Sequence, residues 1–384
     1  MTPFDRLDRE RLRGLSGKKW SNFAGDVLPA WVADMDFPIA DPIRRYLERM
    51  VATSDFGYPE EAEAERLCRA FAERSARRFG WQVEPARIEL MADVVQGILL
   101  CLQQFTRSGD GVVIDTPIYP PFLSSVESMG RRVVRNPMRT GNDGYLLDVA
   151  HLADIVDDAT RMYLLCNPHN PTGRVLTRAE LEAVAEQAVR HDFVVVADEI
   201  HADLLYDGRR HVPFASLAPE VAARTITLTS ATKSFNTAGL RLSIAVFGSE
   251  QLQERFNAVP SRLRGGLNCF GAAVTRIAWE EGDDWLAGLV DYLHGNRDLI
   301  TRFVTERMPQ VRYFAPQATF LAWLDCRALD LEPDPCTYFL EHARVALSDG
   351  RTFGEEGEGC VRLNFATPRA QLEEILERMA RSID

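Results

Sequence analysis

The chain has 384 residues, of which 46% are apolar and 26% charged, the balance of an ordinary soluble globular protein. Its 44 basic and 56 acidic residues give a net charge of −12, which argues against nucleic-acid or anionic-membrane partners, because both favour clustered positive charge. No apolar stretch is long enough to span a bilayer. The length suggests roughly two domains, one large enough for a full α/β core.

The first residues and the cysteines indicate a cytoplasmic protein without a bound metal. Residues 1–20 are polar and lack the apolar core of a signal peptide. The seven cysteines are scattered, odd in number and never spaced as C-x-x-C. That pattern favours reduced thiols over a disulfide framework or a zinc site.

Short apolar runs alternate with helical patterns through the middle of the chain. These runs are almost continuously apolar and rich in β-branched residues, which is typical of strands covered on both faces. The predicted strands cover residues 111–115, 161–166, 193–198, 225–230 and 242–248. The clearest helix is predicted over 178–191, because Thr177 and Glu180 precede it in capping-box spacing. The alternation predicts a doubly wound, mostly parallel sheet with its site at the carboxyl ends of the strands.

The final third of the chain has a different pattern. Amphipathic helices are predicted over about 271–306, followed by a shorter α+β pattern that ends at 360–366. We therefore expect a second, smaller domain. The predicted division is an N-terminal arm (1–45) that joins the small domain, a large domain (46–265) and the small C-terminal domain (266–384).

Polar residues follow several of the predicted strands. Asp198 ends "VVVAD", Asn170 follows "LLC", Tyr119 lies between prolines, and Lys233, one of few lysines, follows "TITLTS". Each alone has an ordinary explanation: a cap, a turn, packing or a surface lysine. All of these strand ends belong to one edge of one sheet, so we expect the side chains to meet there.

The groups predicted at this edge suit pyridoxal 5′-phosphate: they are a lysine, a carboxylate, an asparagine, an aromatic ring and an anion site. The lysine attaches the cofactor covalently, and the carboxylate keeps its pyridine nitrogen protonated so that the ring accepts electrons. Helix N–H groups, hydroxyls and an arginine hold a phosphate. A helix is predicted to begin near Val94, where its free N–H groups and dipole favour an anion.

Five motifs together resemble a known family: "WVADMDF", "FGY", "CNPHNPTGRV", "DEIHADLL" and "SATKSFNTAGL". They are similar to fold-type I pyridoxal-phosphate enzymes, and specifically to the MalY/PatB branch of cystathionine β-lyases within the class I/II aminotransferases. The resemblance extends from about Trp20 to Arg369. It implies a large doubly wound domain that binds the cofactor and a smaller α+β domain.

The resemblance also implies roles around the cofactor ring. Lys233 corresponds to the covalent lysine and general acid/base, Asp198 to the partner of the ring nitrogen, and Tyr119 to the aromatic residue that stacks on the ring. Asn170 corresponds to the partner of the ring hydroxyl oxygen. His201 stands where related enzymes place a tyrosine near that oxygen; the alternative is a hydrogen-bonded histidine behind the site.

The phosphate is expected to bind a second group of residues: Val94, Val95, Ser230, Thr232 and Arg241. Two features depart from the branch. Asp93 stands directly before the helix, where the branch often has a Thr-Pro-Gly-like turn, so its carboxylate must point away or accept from the backbone. Arg241 lies eight residues after Lys233, where aminotransferases generally carry a phosphate-binding arginine and this branch often does not.

The substrate and the partner subunit account for the remaining residues. Arg362 in "CVRLNF" resembles the arginine that binds the substrate α-carboxylate through two parallel N–H bonds. Ala33 and Asp34 belong to a loop expected to line the substrate side. Tyr58 in "DFGYPE" resembles the tyrosine that reaches the phosphate of the neighbouring subunit's cofactor, which implies a homodimer.

The cofactor alone leaves the reaction open. The leading interpretation is C–S β-elimination of cystathionine or another cysteine S-conjugate, giving pyruvate, ammonia and a thiol. One alternative is an aminotransferase, which Arg241 favours. Another is decarboxylation-coupled oxidative deamination of an S-substituted cysteine, as in lincosamide-type pathways. A regulatory binding protein is a fourth, but the full catalytic set indicates that binding would accompany catalysis.

Overall fold

The computed structural model describes residues 3–5 and 7–384. The α-helices of this part are α1 (Arg9–Arg13), α2 (Lys18–Ser21), α3 (Asp41–Thr53), α4 (Glu61–Phe79), α5 (Val94–Phe105), α6 (Pro120–Ser128), α7 (Val149–Ile155), α8 (Arg178–His191), α9 (Pro219–Ala222), α10 (Glu250–Asn257), α11 (Ser261–Arg264), α12 (Cys269–Glu281), α13 (Asp283–Arg307), α14 (Pro335–Tyr338) and α15 (Arg369–Ile383). The strands are β1 (Leu28–Pro29), β2 (Ile88–Met91), β3 (Gly111–Thr116), β4 (Arg132–Pro137), β5 (Arg139–Thr140), β6 (Tyr145–Leu146), β7 (Thr160–Cys166), β8 (Val194–Asp198), β9 (Thr225–Thr229), β10 (Ser243–Phe247), β11 (Arg312–Tyr313), β12 (Leu321–Asp325), β13 (Val345–Ala346), β14 (Ser348–Asp349) and β15 (Cys360–Asn364).

The five predicted strands are β3, β7, β8, β9 and β10, and all belong to one sheet. Its order is β2-β10-β9-β8-β7-β3-β4, and the pairs among β9, β8, β7, β3 and β4 are parallel. Only β10 runs the other way, antiparallel to both β9 and β2. The prediction of a mostly parallel sheet is confirmed.

Helices cover both faces of this sheet, which explains why its strands are apolar throughout. Along β3, Val112 and Ile114 pack into a core with residues of α5, α6 and α10. Val113 points to the opposite face, into a core with α7, α8 and α9. Because successive strand residues alternate between faces, a strand with a core on each side needs apolar residues at every position.

The predicted helix boundaries also agree with the structure. Helix α8 begins after Thr177, whose hydroxyl accepts from the Glu180 N–H while the Glu180 carboxylate accepts from the Thr177 N–H. The long amphipathic region is two helices, α12 and α13, separated at Gly282. A Cβ at Gly282 would lie 2.4 Å from a ring carbon of Phe235, so only glycine fits this close approach.

The N-terminal region contacts the C-terminal part of the chain. Strand β1 pairs in parallel with β13, with Leu28 opposite Val345. A four-stranded antiparallel sheet, β11-β12-β15-β14, follows α13. These contacts suit an arm that joins a smaller domain, although the boundaries at 45/46 and 265/266 stay predictions. In the described residues no helix is long and apolar enough to cross a membrane.

Candidate active site

A cavity of about 260 Å³ opens at the carboxyl ends of β8 and β9. It is lined by Val32, Ala33, Ala92, Asp93, Val94, Val95, Tyr119, Phe122, Cys166, Asn170, Asp198, Ile200, His201, Ser230, Thr232, Lys233, Ala238, Arg241, Leu242, Ser243 and Arg362. Most residues selected from the sequence therefore meet in one place, as the strand-end argument predicts.

Asp198 is the last residue of β8 and lies buried at the base of the cavity. One carboxylate oxygen accepts from the Ile200 N–H at 3.0 Å. Burial raises the pKa of Asp198 to about 7, and the nearby Lys233 opposes that rise. A cation that binds beside Asp198 would stabilise its carboxylate form, so the carboxyl group would then release its proton.

Lys233 follows β9 and reaches into the same cavity. Its amine donates to the carbonyl oxygen of Ala33 at 2.8 Å. Burial lowers the pKa of Lys233, while the carboxylates of Asp34 and Asp198 oppose this effect. A lysine with a lowered pKa has a larger neutral fraction near pH 7, which a nucleophilic amine requires.

Arg362 in β15 enters the cavity from the small antiparallel sheet and is buried. Its guanidinium donates to Asn170 Oδ1 at 3.0 Å, to the Trp31 carbonyl at 3.0 Å and to the Ser348 hydroxyl at 3.1 Å, and it lies 4.9 Å from the Phe353 ring centre. Burial lowers its pKa to about 10, so the group stays a cation at neutral pH.

The first turn of α5 forms the other end of the cavity. Asp93 caps this helix: one carboxylate oxygen accepts from the Gln96 N–H at 2.8 Å, and the other pairs with Arg241. The acid therefore accepts from the backbone, one of the two outcomes expected from the sequence. Val94 and Val95 line the cavity at the helix terminus, where free N–H groups favour an anion.

The hydroxyls at this end are held close together. Ser230 Oγ donates to the Leu242 carbonyl and accepts from the Thr232 N–H at 3.0 Å. It also lies 2.9 Å from Thr232 Oγ1. Both hydroxyls line the cavity together with Arg241, whose side chain is 64% exposed.

His201 is buried at the ring end of the cavity, edge-on to Phe320 with ring centres 6.1 Å apart. Burial lowers its pKa to about 3, so the imidazole is neutral. Its Nδ1 is buried and has no hydrogen-bond partner within the described residues. A buried polar atom without a partner, in a residue that lines a cavity, indicates room for a ligand group.

Two residues selected from the sequence do not line this cavity. Tyr58 is fully exposed and outside the cavity of its own chain. Asp34 does not line the cavity; its carbonyl accepts from Lys19 and Asn364.

The sequence did not indicate three residues that contact the site or its supporting segment: Ser348, Phe353 and Asn364. Asn364 lies two residues after Arg362 in β15, so both side chains point to the same face of the strand. That spacing could have identified Asn364. Ser348 lies in the short strand β14 and Phe353 lies five residues later, and neither has a comparable signal in the sequence.

The residues present fit pyridoxal 5′-phosphate. Lys233 supplies an amine, Asp198 a buried carboxyl group, the start of α5 with its neighbouring hydroxyls an anion site, and His201 an unpaired ring nitrogen. Within the described residues, no group of three or more His, Cys, Asp and Glu side chains could hold a metal ion.

Comparisons with known proteins agree with this assignment. The family model "Aminotransferase class I and II" matches residues 53–379. Cystathionine beta-lyase PatB of Bacillus subtilis is 34% identical, covering 98% of each chain. The crystal structure of OvoB has a TM-score of 0.92 at 39% identity, over 100% of this chain and 99% of that one. The PLP-bound C–S lyase of Staphylococcus hominis has a TM-score of 0.91 at 26% identity, over 99% and 98%.

The fold and the cavity thus define a fold-type I pyridoxal-phosphate enzyme. More particularly, the chain belongs to the class I and II aminotransferase family, in the branch that contains the cystathionine β-lyases.

Proposed function

We propose that the protein is a pyridoxal-phosphate-dependent C–S β-lyase that acts on cystathionine or another cysteine S-conjugate. With water, such a substrate gives pyruvate, ammonia and a thiol. The observation that carries the proposal is one cavity in which Lys233, Asp198 and Arg362 converge, in a chain 34% identical to a cystathionine β-lyase along almost its whole length.

When bound, pyridoxal 5′-phosphate supplies an electron-accepting ring for chemistry at the α-carbon of an amino acid. Lys233 would hold the cofactor and, once released from it, move the α-proton, since its lowered pKa leaves a neutral amine available. Asp198 would hold the ring nitrogen protonated. Burial strengthens that contact, because a charge pair in a dry site is little screened.

Arg362 would bind the substrate carboxylate through its planar donor set. Its bonds to Asn170, Ser348 and the Trp31 carbonyl fix the orientation of the guanidinium before the substrate arrives. Tyr119 would stack on the cofactor ring. Val94, Val95, Ser230, Thr232 and Arg241 would hold the phosphate.

The working enzyme in this proposal is a cytoplasmic homodimer. Tyr58 is fully exposed in a single chain and lies outside that chain's cavity. An exposed tyrosine in this position supports a contact with the neighbouring subunit, where its hydroxyl would reach the cofactor phosphate.

The test is to incubate the purified protein with cystathionine or S-alkyl cysteines without a keto acid. Pyruvate and thiol in equal amounts are the expected products. Product formation only after a keto acid is added would instead make the protein an aminotransferase. Release of CO₂ with uptake of oxygen would identify the decarboxylating oxidative route.

A further inference from the structure

Residues 31–36 form a short segment along the cavity that meets two of its functional groups through backbone carbonyls. The Trp31 carbonyl accepts from Arg362 at 3.0 Å. The Ala33 carbonyl accepts from the Lys233 amine at 2.8 Å. The groups assigned to the substrate carboxylate and to proton transfer are therefore held by carbonyls two residues apart.

Asn364 fixes the middle of this segment. Its side chain is fully buried, and its amide donates to the Val32 carbonyl at 2.6 Å and to the Asp34 carbonyl at 2.7 Å. These two carbonyls flank that of Ala33. The Asn364 side-chain oxygen accepts from the Ala366 N–H at 2.8 Å, so the amide orientation is fixed from both ends.

The end of the segment has separate contacts. The amine of Lys19 donates to one carboxylate oxygen of Asp36 at 2.7 Å, and the indole of Trp20 donates to the other at 2.7 Å. Both donors and the acceptor are buried. The side chain of Asn236 accepts from the Met35 N–H at 3.2 Å. These contacts hold the end of the segment, and the Lys19 amine also donates to the Asp34 carbonyl at 3.1 Å. Among the described residues, only Asn364 donates to both carbonyls that flank Ala33.

We propose that Asn364 is a positioning residue that fixes segment 31–36 so that the Ala33 carbonyl faces the Lys233 amine. The inference rests on the proposed function, in which Lys233 moves the α-proton. A carbonyl oxygen only accepts hydrogen bonds, so at 2.8 Å it favours the ammonium form of the lysine. Ala33 would thus give the protonated lysine a fixed position beside the substrate.

The charge of Lys233 is set by opposing effects. Burial and the Arg362 cation disfavour the ammonium form, while the carboxylates of Asp34 and Asp198 favour it. The charged or titratable groups that face Lys233 are Asp34, Asp198, Arg362 and the neutral His201. In such a balance, loss of a charge-assisted bond to Ala33 shifts the lysine toward its neutral form.

The small number of lysines makes the pKa of Lys233 measurable. It has three lysines, namely Lys18, Lys19 and Lys233. Trace acylation of the cofactor-free protein across a range of pH, followed by peptide mass spectrometry, titrates each amine separately. Lys18 is exposed and serves as the internal reference. We expect Asn364→Ala to lower the pKa of Lys233 by about one unit, because the ammonium form loses part of a charge-assisted hydrogen bond; the shift corresponds to about 1.4 kcal/mol.

Asn296 provides a matched control. It is also fully buried, and its amide donates to two backbone carbonyls that flank one residue, Phe365 and Thr367, each at 2.9 Å. Asn296→Ala removes two similar amide–carbonyl bonds, together with a bond from the Arg369 guanidinium to its side-chain oxygen. Asn296 makes no hydrogen bond to segment 31–36; its acceptors lie on either side of Ala366, whose carbonyl accepts from the Asp36 N–H at the end of the segment. The effect of Asn296→Ala on stability should be similar, whereas the pKa of Lys233 should stay at the wild-type value.

An unchanged or raised Lys233 pKa in folded Asn364→Ala would overturn the inference, as would an equal shift in Asn296→Ala. If Asn364→Ala does not fold, Asn364→Ser replaces it, because the shorter side chain lacks the amide that donates to the Val32 and Asp34 carbonyls. A downward shift in the pKa of Lys233 is again expected, and no shift overturns the inference. If the pKa of Lys233 does not shift as expected but the wild type still forms pyruvate and thiol, the inference is wrong and the proposed function stands. A shift without lyase products would refute only the function.

Discussion

The two ends of the cavity differ in how far a single chain completes them. At the ring and substrate end, Asp198, His201 and Arg362 are all buried, and Arg362 has its partners within the chain. At the phosphate end, the Arg241 side chain is 64% exposed, and Tyr58 is fully exposed and away from the site. Buried charges interact strongly and keep their geometry, whereas exposed ones are weakened by water and salt. The first end should therefore control chemistry, and the second should control cofactor retention and depend on a second chain.

The largest effect is expected from Lys233→Ala. Loss of the amine should abolish covalent attachment of the cofactor and turnover, while the phosphate end still allows non-covalent binding. Borohydride treatment followed by peptide mass spectrometry should find the cofactor on Lys233 of the wild type and on no residue of the variant. Lys18→Ala is the matched control and should behave as wild type. Borohydride-fixed cofactor on Lys18 or Lys19 would contradict the assignment.

Asp198→Asn should lower turnover by about two orders of magnitude or more. The substitution keeps the size of the side chain but removes the charge that holds the ring nitrogen protonated, and a charge-assisted buried bond contributes a few kcal/mol. Steady-state kinetics on cofactor-saturated protein measures the effect. Activity within tenfold of wild type would mean that the ring end does not control the chemistry.

The same substitution should change how stability depends on pH. Burial raises the pKa of Asp198 to about 7, above its value of about 4 in the unfolded chain. Between about pH 4 and pH 7 the cofactor-free folded protein therefore keeps a proton on Asp198 that the unfolded chain has released. This contribution to stability is complete below about pH 4 and is lost as pH rises to about 7.

Asp198→Asn should therefore stabilise the cofactor-free protein relative to wild type more at pH 8 than at pH 5, by about 3 kcal/mol, because about two pH units of the shift lie between pH 5 and the folded pKa. The difference between the two proteins is the quantity to measure, by denaturant unfolding. The lowered pKa of His201, about 3, gives the opposite slope in both proteins, so it cancels in the difference. A constant difference across this range would show that Asp198 is not desolvated.

Tyr58 tests whether the phosphate end needs a second chain. Tyr58→Phe should weaken cofactor binding without unfolding the protein, since one bond to a charged phosphate contributes about 1.5–3 kcal/mol. If Tyr58→Phe alone removes most activity, mixing it with Lys233→Ala subunits gives the sharper experiment. In shared sites, one site of the hybrid dimer carries both substitutions and the other carries neither. We expect about half of the wild-type activity to return; verified hybrids that regain none would place Tyr58 outside the neighbouring site.

Much of the fold could be predicted because the pattern of apolar residues along a strand or helix follows from which of its faces are buried. Runs such as "VVVAD" are apolar at every position because the sheet has a core on both faces, and the capping residues Thr177 and Glu180 identify the start of α8. The direction of each strand in the sheet could not be predicted in this way. An apolar run carries no sign of orientation, so the sequence does not indicate that β10 is antiparallel to its neighbours.

The site was predictable where a side chain carries the chemistry. Lys233, Asp198 and Arg362 are unusual residues for strand ends or buried strands, and they meet in the cavity. The contact between Lys233 and the Ala33 carbonyl was not predictable, because every residue has a carbonyl and sequence gives no sign of where it points. The pairing of Asp93 with Arg241 was missed for a related reason: the two residues are remote in sequence and ordinary in type.

The smallest effect is expected from Arg241. Its guanidinium is exposed and already paired with Asp93, and exposed ion pairs contribute about 0–1 kcal/mol, so Arg241→Ala should weaken cofactor binding by less than about tenfold. Arg241→Ala should also be made in an Asp93→Asn protein, because asparagine also caps a helix but does not neutralise the arginine. Removing Arg241 should then cost more binding than it does in the wild type, since the unpaired cation would act on the phosphate alone. Calorimetric titration of the four cofactor-free proteins with pyridoxal 5′-phosphate gives the coupling between the two residues. A hundredfold loss from Arg241→Ala in the wild-type background would show that the phosphate end holds its ligand as firmly as the ring end.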